Sequence, residues 1–159
     1  MRLFSIVFSV VMALVLAGCS KKDNGGCTPT SATEDDAKMQ AFITANGITA
    51  TKDASGMYYQ IIEPGTGTTP AVSSVVVVKY VGKLTNGTTF DSSNSLEYPL
   101  NRLILGWQIG IPLIKKGGKI KLIIPPSLAY GCDAIKDGNT VVLPGNSVLI
   151  FDVELLDVK

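Results

Sequence analysis

This 159-residue chain contains no histidine, and two of its tyrosines, one aspartate and its sole tryptophan stand in distinctive stretches. Tyr80 lies in a valine-rich run, and Asp91 stands between Phe90 and Ser92-Ser93. Trp107 is the sole tryptophan, and Tyr130 precedes Gly131 shortly after Pro125-Pro126. The missing histidine removes imidazole acid–base catalysis, Ser-His and Cys-His nucleophiles, and most zinc sites. Hydrogen bonding, orientation and desolvation remain. Read singly, the four residues are ordinary: a lone tryptophan packs a core, a tyrosine before glycine sits in a loop, and Asp-Ser-Ser marks a turn or cap. Their meaning depends on what brings them together.

Around Trp107, residues 103–111 place Leu103, Ile104, Trp107 and Ile111 at the spacing of one helical face. So short a helix is unstable alone, and Pro112 should end it near Ile111, so a sheet must hold it. Strand patterns lie on both sides. Residues 56–62 alternate, and residues 75–81 form a β-branched run. Asn86-Gly87 has the chemistry of a tight hairpin, and Gly117-Gly118 reads as a second hairpin-like opening. Residues 119–124 follow, with Ile120, Leu122 and Ile124 facing inward. Residues 148–158 then set Leu149, Phe151, Val153 and Leu155 on one face, and Asp152 and Glu154 on the other. The expectation is an α+β domain in which an antiparallel sheet, wet on one side, wraps one short helix. Lys115, Lys116, Lys119 and Lys121 read as a solvated face.

The bulk numbers suit a folded domain with an appended leader. A charged fraction of 17% and a hydrophobic fraction of 46% describe a globular chain. A net charge of +1 gives no basic footprint, so no nucleic-acid partner is expected. Arg2 followed by an apolar run of about 14 residues reads as a signal peptide over residues 1–18, since a membrane span needs roughly 20. Leu16-Ala17-Gly18-Cys19 is similar to a bacterial lipobox, which makes Cys19 the acylated residue and the membrane a partner. Ser20 after it resembles outer-membrane sorting, placing the protein, lipid-anchored, in the bacterial cell envelope. Residues 19–32 read as a flexible tether. Cys27 within it could pair with Cys132 in an oxidising compartment, although two cysteines in loops do not require it. Residues 33–54 read as a helix and linker, capped by Ser31 or Thr33 and closed at Gly47. Met39, Phe42 and Ile43 form a narrow stripe that should pack on the domain, the alternative being a partner or dimer surface.

Five stretches now stand in order: 78–82, 87–93, 104–107, 124–131 and 149–155. With their spacing, residues 55–159 closely resemble the FKBP family of macrolide-binding peptidyl-prolyl cis-trans isomerases. The resemblance implies a hydrophobic pocket between sheet and helix. Trp107 would be its floor, Tyr80, Phe90 and Phe151 its aromatic walls, and Leu103, Ile104 and Leu143 one side. Tyr130 would aim its hydroxyl at a substrate carbonyl, and Asp91 would face the same region and orient Tyr80. The catalytic set is then Asp91, Tyr130 and Trp107, with no metal and no cofactor. X-Pro rotation needs no nucleophile, which suits a chain without histidine. The implied function is isomerisation of X-Pro bonds in envelope or secreted proteins, with proline-containing polypeptides as clients and macrolides as possible inhibitors. A catalytically weak chaperone or proline-ligand binding module is the alternative. Two departures bear on the choice. Leu96 stands where the family often has an aromatic, with Tyr98 two residues on, and residues 132–140 lengthen the loop after Tyr130, where they should overhang the pocket.

Overall fold

The computed structural model describes residues 26–159. The signal peptide, the Cys19 acylation site and the first part of the tether lie outside the described residues. In order come helix α1 (Ala32–Ala45), strands β1 (Thr51–Lys52), β2 (Tyr58–Glu63), β3 (Val75–Leu84) and β4 (Thr89–Pro99), and helix α2 (Leu105–Gly110). Strands β5 (Lys119–Ile124), β6 (Ile135–Asp137), β7 (Thr140–Leu143) and β8 (Leu149–Val158) complete the chain. Six strands form one sheet in the order β1-β2-β5-β8-β3-β4, every neighbour antiparallel, while β6 and β7 pair as a separate hairpin. The α+β architecture expected from the alternation is the one observed.

The C-terminal strand is central because it carries the strongest inward pattern. Leu149, Phe151, Val153 and Leu155 of β8 bury against Ile120, Leu122 and Ile124 of β5 and Val76, Val78 and Tyr80 of β3. Helix α2 lies on this concave face. Gly106 and Gly110, one helical turn apart, permit the close approach. A Cβ on Gly106 would stand 2.6 Å from Ile124 side-chain carbons, and one on Gly110 2.5 Å from Leu122.

The helix ends where Pro112 predicts: α2 stops at Gly110, and the chain passes into a 3-10 turn, Ile111–Leu113, where the proline's missing N–H costs nothing. Three expectations need correction. Helix α2 begins two residues later than its apolar pattern, so Leu103 and Ile104 lead into it rather than share its face. Gly117-Gly118 opens no hairpin: Gly117 takes φ +85° in a turn, then Gly117 and Gly118 bond to Leu155 of β8. Asp91-Ser92-Ser93 is strand, not turn, within a long β4 whose pairing with β3 shifts register between Val78 and Tyr80 and again between Gly82 and Lys83.

Nor is the second face of the sheet wholly wet. Ile123 and Ile150 point away from the main core and are buried under α1, together with Met39, Tyr58 and Val148. Ser31 caps that helix by accepting from the Glu34 N–H at 3.2 Å, Glu34 and Asp35 occupy its first turn, and Gly47 at φ +59° follows its end. The stripe of Met39, Phe42 and Ile43 thus packs on the domain, as expected. The end of the tether is also docked. Cys27 is disulfide-bonded to Cys132, and Thr28 and Thr30 hydrogen-bond to Asn146.

Candidate active site

At the open end of the concave face is a cavity of ≈ 110 Å³ lined by Tyr80, Asp91, Leu96, Leu103, Ile104, Trp107, Tyr130 and Phe151. Strands β3 and β8 deliver Tyr80 and Phe151, and α2 brings Trp107 beneath them. The indole is 3% exposed. Its centroid is 5.0 Å from the Tyr80 ring at 85° and 5.2 Å from the Phe151 ring at 87°. Edge-to-face contacts of this kind place a ring's positive rim on another's negative face, and they lock all three rings. The indole N–H is buried without a hydrogen-bond partner among the described residues.

Two expected lining residues are not among those that bound this cavity. Phe90 packs edge-to-face on Phe151, ring centroids 5.6 Å apart at 82°. Gly82 makes room for that contact, since a Cβ there would lie 2.8 Å from both rings. Leu143, the last residue of β7, is buried in the main core cluster and is not among the residues that line the cavity. The hairpin itself occupies residues 135–143, and the cavity lining includes none of it. Leu96, not Tyr98, fills the wall where the family often has an aromatic: Leu96 pairs with Val78 and lines the cavity, while Tyr98 is 41% exposed. Its signal was present in the sequence, as the single large apolar side chain between Asp91 and Glu97. Gln108 carried no such signal. Its side-chain amide donates to the Leu103 carbonyl at 2.8 Å and fixes the segment that presents Leu103 and Ile104.

The polar rim is electrostatically asymmetric. The Tyr80 hydroxyl donates to the Asp91 carboxylate at 2.6 Å. Burial first, and the Asp91 charge second, push the Tyr80 phenol far above its ordinary range. Tyr130 is 43% exposed on the loop after the 3-10 turn Pro126–Leu128, and its phenol is also pushed up, by partial burial and then by Asp91. Both hydroxyls keep their protons at neutral pH. Tyr80 has committed its proton to Asp91, and Tyr130 retains one to offer. The grouped Cys27, Cys132 and Asp133 do not form a metal site, since both sulfurs are used in the disulfide.

Residues 67–156 match the family profile described as FKBP-type peptidyl-prolyl cis-trans isomerase. A Haemophilus influenzae protein named probable FKBP-type peptidyl-prolyl cis-trans isomerase is 40% identical over 155 residues, covering 95% of this chain and 61% of that protein. The isomerase FkpA of Escherichia coli is 48% identical over 110 residues, 67% of this chain and 39% of that one, so the chain spans less than two thirds of each of these relatives. The crystal structure of E. coli FkpA superposes with a TM-score of 0.68 at 42% identity, covering 80% of this chain and 61% of that chain. That of AtFKBP13 superposes at 0.63 and 34% identity, over 68% of this chain and 97% of the other. The profile match covers more than half of the chain, and the chain belongs to the FKBP-type peptidyl-prolyl cis-trans isomerase family.

Proposed function

We propose that the chain accelerates cis–trans rotation of X-Pro bonds in polypeptides, and that the cavity over Trp107 is where it does so. The observation that carries this reading is the locked trio of Tyr80, Trp107 and Phe151 beneath one uncommitted phenol. Rotation meets a barrier of about 18–20 kcal/mol because the planar amide must lose its resonance. The planar form is the more charge-separated one, so a dry aromatic wall destabilises it relative to the twisted form. Trp107 takes the proline ring, while Leu96, Leu103, Ile104 and Phe151 exclude water. Tyr130 donates to the carbonyl oxygen preceding the proline as it turns out of plane. Asp91 holds Tyr80 and keeps the rim polar. Catalysis is then preferential binding of the twisted amide. A reduction of the barrier by about 6–8 kcal/mol corresponds to ~10⁴- to 10⁶-fold, most of it from shape and desolvation.

The lipobox-like residues 16–19 support a lipid anchor on Cys19, and a Cys27–Cys132 bond fits an oxidising envelope compartment. Seven residues then separate the anchor from the docked Cys27, a reach of at most about 28 Å over eight Cα–Cα steps. Clients are therefore polypeptides close to the membrane surface. Cys19→Ala should move the protein from the membrane fraction to the soluble fraction, and unchanged partitioning would exclude the anchor.

A protease-coupled assay on tetrapeptides varied before proline tests the activity. Acceleration above the thermal rate, blocked by a rapamycin-like macrolide, is expected. A thermal rate from folded protein whose Trp107 fluorescence still responds to macrolide would mean a binding module that does not turn over.

A further inference from the structure

We propose that residues 27–35, which precede the family-matched region, act as a strap that positions Tyr130, with Cys27 and Asn146 as its two fastenings. Cys27 bonds covalently to Cys132, two residues after Tyr130. Asn146 joins the same two partners a second time. Its side-chain amide donates to the Thr28 carbonyl at 2.9 Å, its Oδ1 accepts from the Thr30 N–H at 3.2 Å, and its own backbone N–H donates to the Gly131 carbonyl at 3.0 Å. Asn146 makes these bonds from φ +56°, the one left-handed residue other than glycine among those described. Such a conformation persists where its surroundings impose it.

The strap is itself held firmly. The Thr30 hydroxyl donates at 2.6 Å to Asp35, a carboxylate only 3% exposed in the first turn of α1. Met39, one turn further on, is buried in the second core on the sheet's outer face. Between strap and loop lies a space of ≈ 330 Å³ bounded by Thr30, Asp35, Ser127, Gly131 and Asn146, among others. Fastening rather than close packing therefore fixes the two together. On the loop side, Gly131 at φ +66° donates to Pro126, and Gly145 lies so close to the Cys132 carbonyl that any side chain there would collide. The backbone after Tyr130 is thus tied to a helix on the opposite face of the sheet.

The inference rests on the isomerase reading, and its test separates the two. The full chain in detergent is assayed before and after reduction of Cys27–Cys132 with dithiothreitol. Cys27→Ser and Asn146→Gly are assayed alongside, the latter keeping the left-handed backbone while deleting the side-chain bonds. Each is measured with Tyr130 present and in a Tyr130→Phe background, at a temperature where all are folded. Loosening the strap should lower kcat/KM by ~3–10-fold, through kcat rather than KM, with Tyr130 present, and by under about 2-fold without it. Equal losses in both backgrounds, or none, overturn the strap. The Tyr130 ring signal in isotope-labelled tyrosine NMR, assigned by its loss in Tyr130→Phe, reports on the strap without turnover. It should shift or broaden when either fastening is cut, and an unchanged signal overturns the proposal even if the wild type proves inactive.

Discussion

The two tyrosines of the cavity are held in opposite ways. Tyr80 lies in a strand paired on both sides, is almost fully buried, and donates its hydroxyl hydrogen bond to Asp91 on the adjoining strand. Tyr130 is half exposed on a loop whose geometry depends on Gly131, Cys132 and Asn146. One phenol is architecture and the other is a free donor. A ladder of backbone bonds fixes a side chain whatever surrounds it, whereas a loop has to be tied down. The cavity's uncommitted hydroxyl donor therefore sits on its less constrained side.

The largest expected effect attacks the strand side. Phe151→Ala removes the ring that meets Tyr80, Trp107 and Phe90, and should cost about 3–5 kcal/mol in denaturant unfolding. Gly82→Ala forces Phe90 and Phe151 apart and should cost about 1–3 kcal/mol by the same measurement. Tyr130→Phe sharpens the contrast: stability should stay within about 0.5 kcal/mol while kcat/KM falls ~10-fold. Titration gives the smallest effect. Both phenols ionise less readily in the fold than in the unfolded chain. The stability this confers is complete below the ordinary phenol pKa near 10 and is lost as pH rises beyond it. Unfolding free energy should decline above about pH 10, less steeply in Tyr80→Phe, while kcat/KM stays flat between roughly pH 6 and 9.

Much of this was legible because β-structure writes its register in alternation. Leu149, Phe151, Val153 and Leu155 announced the central strand, and Asn86-Gly87 announced the turn between β3 and β4, where Gly87 takes φ +87°. The Asp-Ser-Ser stretch misled, because its side chains favour turns while the pairing of β4 with β3 overrides them. Ile123 and Ile150 concealed the second core, since nothing within a strand says that a distant helix will cover its outer face. Leu143 and Phe90 came from the resemblance alone. Neither bounds the cavity; Leu143 joins the core cluster and Phe90 packs on Phe151, which only packing decides. The fastenings at Asn146 depend on residues more than a hundred positions apart, and a linear pattern does not encode them.

Exchange NMR on a proline-containing tetrapeptide tests the central claim most directly, because it observes cis and trans forms interconverting without a coupling protease. With a catalytic amount of the protein, exchange peaks between the two forms should appear, weaken with Tyr130→Phe and vanish when a macrolide fills the cavity over Trp107. Peaks no stronger than those of the peptide alone, with the protein folded and the macrolide bound, would contradict it.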